Sequence, residues 1–152
     1  MLTDPKQVAQ QLNHLIQICL DGEEGFRQAA EAVEATELRT MFTEFSQQRA
    51  GLAADLQREV VRLGQDPAVD GTIMGAVHRG WLNLKSAVVS NDEKAIVNEC
   101  ERGEDVAKDA YEDVLKAGLP NETELLVSRQ YSLVKAAHDR MRAIQKTYAH
   151  AS

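Results

Sequence analysis

The stretch from Gly64 to Glu93, GQDPAVDGTIMGAVHRGWLNLKSAVVSNDE, decides how the chain folds. It opens on Gly64 with Pro67 just beyond, the pattern that ends a helix. It closes on Ser90-Asn91-Asp92-Glu93, which has the S-x-x-E form of a capping box, so a helix begins there. Between the two, Ile73, Val77, Trp81, Leu84 and Val88 step by threes and fours and predict a short amphipathic helix over 71–89. A connection this long is not a hairpin turn. It carries the chain from one end of the molecule back to the other before the next long helix starts.

Working outward, Thr3-Asp4-Pro5 opens a first helix, Gly118-Leu119-Pro120 closes another, and Asn121-Glu122-Thr123-Glu124 is an Asn-capped relative of the capping box. A phase break in the apolar stripe between Val33 and Leu38 predicts a tight turn near Ala35. Five helices follow, over 4–34, 37–63, 71–89, 92–117 and 121–148. Each long one carries an apolar stripe: Leu12, Ile16, Cys19, Phe26 and Val33; Leu38, Phe42, Phe45, Leu52 and Leu56; Val97, Cys100, Ala107, Tyr111 and Val114; Val127, Tyr131, Val134 and Met141. Long helices on short loops pack antiparallel. The expected fold is therefore all-α, a ferritin-like four-helix bundle in which two antiparallel helix pairs are joined by a crossover containing a short helix.

Composition agrees. The chain has 152 residues, 27% of them charged and 43% hydrophobic, with three prolines. This suits a single domain, 1–152, that buries its own core. Seventeen basic against 24 acidic residues leave a net charge of −7, which disfavours nucleic acid and anionic membrane surfaces, and no basic stripe offsets it. No apolar run reaches the length of a membrane span. The amino terminus lacks a secretory pattern, so a cytoplasmic protein is expected. Cys19 and Cys100, the two cysteines, read as buried core residues.

A few polar residues fall on the apolar stripes. Glu23 lies between Cys19 and Phe26, Arg49 between Phe45 and Leu52, Glu104 between Cys100 and Ala107, and His138 between Val134 and Met141; His78 sits at the edge of the crossover stripe. Counted back from the turns, these five lie within about three helical turns of one height, and predict a polar layer across the bundle. Buried charges must be paired or must bind something. Two readings compete. One is a structural network, Glu23 with Arg49, and Glu104 with Arg102, His78 or His138. The other is a metal site for iron or another divalent ion, with Glu23, His78, Glu104 and His138 as ligands and oxidase or metal-handling activity. Against the second, Lys135 and Gly75 stand where Glu-x-x-His motifs would place glutamates. No cofactor or catalytic residue is assigned, and an enzyme is not the favoured reading. His14 and His150 read as surface residues, and Trp81 as a core anchor. Helix-interior glycines Gly22, Gly25, Gly51, Gly75, Gly80 and Gly103 predict close packing around the layer.

Asp21-Gly22-Glu23-Glu24-Gly25-Phe26, His78-Arg79-Gly80-Trp81, Glu101-Arg102-Gly103-Glu104-Asp105 and Ala137-His138-Asp139 together resemble a family of small bacterial four-helix-bundle proteins of uncharacterised function. The resemblance covers nearly the whole chain and implies a ferritin-like fold, with no reaction attached to it. The leading expectation is a homo-oligomeric bundle with a structural or stress-related binding role. An acidic scaffold for an unidentified protein partner is a further alternative.

Overall fold

The computed structural model describes residues 1–71, 81 and 83–150, and they are helical with no strand among them. The helices are α1 (Pro5–Ala32), α2 (Thr36–Arg62), α3 (Leu84–Val89), α4 (Glu93–Ala117) and α5 (Asn121–His150). α1 starts as its sequence dictates: Asp4 accepts from the Lys6 amide at 3.0 Å and Pro5 occupies the first turn, where no amide donor is needed. α2 ends in a Schellman closure, with Gly64 N–H donating to Val61 and Gln65 N–H to Val60 while Gly64 takes φ 76°.

Cross-helix hydrogen bonds give the topology directly. Between α4 and α5 the pairs are Asn98 with Gln145 (3.3 Å), Asp105 with His138 (2.6 Å) and Glu112 with Tyr131 (2.6 Å). Each step is seven residues down one helix and seven up the other, an antiparallel pair in constant register. α2 and α5 repeat this, with Gln130 donating to the Leu52 carbonyl (3.1 Å) and Thr123 to Glu59 (2.8 Å). α1 also runs against α4, from Leu2 at Gly118 to Cys19 at Tyr111. Two hairpins, α1–α2 and α4–α5, are thus joined by the long connection that the Gly64–Glu93 stretch foretold.

Three details differ from expectation. Of the crossover helix expected over 71–89, residues 72–80 and 82 lie outside the described residues; among those described, Trp81 and Asn83 are in a turn and Leu84–Val89 forms α3. Asn83 N–H donates to Glu99 Oε2 at 3.2 Å. At the start of α4 the cap is Asp92, accepting from Ala95 N–H at 3.1 Å, not Ser90. Ser90 is spent ending α3, and Asn91 at φ 55° turns the chain between them. α5 begins at Asn121 itself, with the Pro120 carbonyl accepting from Glu124 N–H, so Asn121 is inside the first turn rather than its cap.

The stripes close two apolar cores. One holds Leu12, Ile16, Cys19, Leu52, Leu56, Ala107, Tyr111 and Val134. The other holds Phe26, Phe42, Phe45, Val97, Cys100, Ala137 and Met141. On α2, α4 and α5 the division falls where a buried polar residue, Arg49, Glu104 or His138, interrupts the stripe.

Candidate functional site: a polar layer between two cores

At that division, Arg49 from α2 meets Glu104 from α4. Their side chains are 1% and 0% exposed, and Arg49 Nη2 lies 2.6 Å from Glu104 Oε1 and 2.7 Å from Oε2. Arg49 crosses the bundle beneath Phe26, its guanidinium 5.6 Å from the ring centroid. A methyl on Gly22 would lie 3.3 Å from Arg49 Nη1, so a side chain there would crowd it. Burial works against the Arg49 charge, but Glu104, with Cys19 and Tyr111 assisting, raises the guanidinium above its ordinary range. Burial likewise pushes the Glu104 carboxyl up, and the guanidinium opposes that shift. Among the described residues, Arg49 Nε has no hydrogen-bond partner and Glu104 Oε1 is met by Arg49 as an ion pair only.

The expected pairings are therefore corrected. Arg49 bonds Glu104 and not Glu23, because Gly22 is the α1 residue facing the guanidinium and one helical position is a rotation of about 100°. Glu23 is half-buried, and its backbone carbonyl accepts from the Ser46 hydroxyl at 2.8 Å. Arg102 is half-exposed and pairs with Glu99 at 2.8 Å rather than with Glu104. His138, 2% exposed, turns to Asp105 (Nε2, 2.6 Å) and Asp139 (Nδ1, 3.1 Å). His78 and the side chain of His150 lie outside the described residues, as do Gly75 and Gly80. His14 is exposed, as expected.

Sequence reasoning missed two features. Glu99 is only 4% exposed, ties the crossover to α4 by accepting from Asn83 N–H and pairs with Arg102 on its own helix; it lies one turn from Gly103 on the inward face. Glu101 and Asp105, four apart on α4, also gather at His138. Their i,i+4 spacing was visible, but only the α4–α5 register puts His138 opposite.

The glycines serve the packing unevenly. Trp81 is wedged between α1 and α4: a Cβ on Gly25 or on Gly103 would overlap its indole. Its ring meets Phe26 edge-on at 5.0 Å, so it anchors the crossover to the core that holds Phe26, Phe42 and Phe45. Gly51 has open space around it and no packing role, against expectation.

Below the ion pair runs a buried chain of hydrogen bonds. Tyr111 Oη donates to Gln130 Oε1 at 2.7 Å, Gln130 Nε2 donates to the Leu52 carbonyl, and Cys19 Sγ is 3.3 Å from Tyr111 Oη. Since the tyrosine proton goes to Gln130, the thiol is the donor to Tyr111. Burial raises the Cys19 thiol and holds the Tyr111 hydroxyl well above its usual range, so both remain neutral.

The family described as a domain of unknown function (DUF2383) matches residues 7–117, from α1 to the end of α4. The chain belongs to that family. Among solved structures, a Dps1 mutant from Mycobacterium smegmatis superposes with a TM-score of 0.74 at 13% identity, covering 95% of this chain and 99% of that one. The dodecameric thioferritin of Bacteroides fragilis, a bacterioferritin-related protein, gives 0.75 at 14% identity, covering 97% and 89%. These likenesses establish the ferritin-like fold for this DUF2383 member. No curated protein matches it. Among the described residues, no helix of this DUF2383 protein is long and apolar enough to cross a membrane.

Proposed function

We propose that the chain is a single-domain, homo-oligomeric ferritin-like protein of the cytoplasm with a stress-related binding role, and that its axial layer is a structural ion pair rather than a di-metal oxidase centre. The observation that carries this is the Arg49–Glu104 pair, 2.6 Å apart and withdrawn from solvent at the height where the two cores part. A di-metal centre in a bundle draws carboxylates and imidazoles from facing helices. Here a guanidinium occupies that space and holds the carboxylate that would have to ligate. Moving Arg49 aside would leave its charge unpaired among apolar side chains, at a cost of several kcal/mol. Assembly is supported by the likeness to a dodecameric protein of the same fold.

Light scattering coupled to gel filtration, with metal titration of wild type and Glu104→Gln, tests the reading. The expected result is a mass that is a multiple of 16.8 kDa and the same metal stoichiometry in both proteins. A strict monomer, or a metal equivalent lost with Glu104, would overturn it.

Metal handling away from the axis is the second reading, favoured by the residues that collect around His138.

A further inference from the structure

Glu101 and Asp105 stand one turn apart on α4 and share a face; His138 lies opposite on α5. Carboxylate oxygens and an imidazole nitrogen from the three come within 4.8 Å of one another. Several features set this group apart from an ordinary acidic patch. His138 is 2% exposed, yet its Nε2 is turned to the carboxylates, 2.6 Å from Asp105 Oδ1. The opposite nitrogen, Nδ1, is 3.1 Å from Asp139 Oδ1. A carboxylate behind one ring nitrogen is the arrangement that fixes tautomer and ring direction in metal-bound histidines, leaving the other lone pair for the ion. Among the described residues, Glu101 has no ion-pair partner and Asp105 has only His138. Two acids and an aimed imidazole are thus gathered with no Lys or Arg within ion-pair distance of either carboxylate among the described residues.

We propose that Glu101, Asp105 and His138 form a binding site for one divalent transition-metal ion, with Asp139 as a positioning residue. Calcium and magnesium prefer all-oxygen shells, whereas an imidazole with two carboxylates suits first-row transition ions. Glu101 and Asp105 are half-exposed, so solvent or a second ligand can complete the coordination. The site is separate from the axial ion pair and does not need Arg49 to move.

The test is calorimetric titration of the untagged, chelator-treated full chain with Zn2+, together with visible absorption of the Co2+ form. One site is expected to weaken at least about ten-fold in the double variant Glu101→Gln/Asp105→Asn, and its cobalt bands should vanish. Both positions are half-exposed, and circular dichroism checks that the variant is folded. Asp139→Asn should keep the stoichiometry, weaken binding by about 10–100-fold and shift the cobalt bands. Glu104→Gln should leave this site unchanged, which separates a failure here from a failure of the axial reading. Wild-type affinity in the double variant, or no saturable binding by wild type, would overturn the proposal.

Discussion

Arg49 and Glu104 satisfy each other's charge across the middle of the bundle, with Arg49 Nη2 within 2.7 Å of both carboxylate oxygens and neither side chain more than 1% exposed. The pair divides one long apolar interior into two cores. It links α2 of the first hairpin to α4 of the second, two elements 55 residues apart in the chain. Such a link fixes the relative height and rotation of the hairpins, because a slip of either helix would bury an unpaired charge.

Truncating one partner should therefore be costly and replacing both should not. Arg49→Ala is expected to destabilise by about 3–5 kcal/mol in urea unfolding, by stranding Glu104. The double replacement Arg49→Met/Glu104→Leu should be near neutral or stabilising by about 1–4 kcal/mol. A loss under about 0.5 kcal/mol in Arg49→Ala would contradict the buried pairing.

The indole slot predicts a local optical signal. Trp81 is the single tryptophan, so its fluorescence reports on this contact alone. Gly103→Ala should expel the ring from α4, shift emission to the red and cost about 1–3 kcal/mol through overpacking. Gly51→Ala, with open space around it, should instead stabilise by about 0.5–1 kcal/mol. Unchanged emission in Gly103→Ala would remove Trp81 from the slot.

Glu59 should make part of the stability sensitive to acid. Hydrogen bonding from Arg62 is the largest cause of its lowered carboxyl, with burial opposing and the Thr123 hydroxyl assisting. A depressed folded-state value means stability that is present above the unfolded value of 4.5 and lost as pH falls through the folded one. Wild type should exceed Glu59→Gln by about 0.5–1.5 kcal/mol at neutral pH. That difference should disappear in strong acid; a gap independent of pH would show that ionised Glu59 contributes nothing.

Tyr111→Phe preserves shape while removing the hydroxyl that joins Cys19 to Gln130. Leaving those buried polar groups without a partner should cost about 1–3 kcal/mol by thermal or urea unfolding. A neutral outcome would mean that Gln130 finds another donor.

Much of this architecture is legible in the chain. Gly64, Pro67, Pro5 and Gly118 mark helix ends through backbone conformations and missing donors that act locally, whatever surrounds them. The heights of Arg49, Glu104 and His138 also follow from counting, since a helix rises uniformly. The short crossover was less legible: Trp81 has the spacing of a helical stripe but is held in a turn, with Asn83 N–H committed to Glu99. The tertiary hydrogen bond that accompanies this turn has no signature in the spacing of the stripe.

The sequence by itself determined an all-α bundle of two hairpins, its acidic surface and the level at which polar residues break the core. These depend on periodicity and rise, both properties of a single helix. Only the tertiary structure decided that Arg49 takes Glu104 rather than Glu23, that Arg102 turns outward to Glu99, and that His138 looks to Glu101 and Asp105. Those choices depend on the rotation of each helix about its own axis. A difference of one residue swings a side chain by about 100°, and only packing against the other helices fixes that angle.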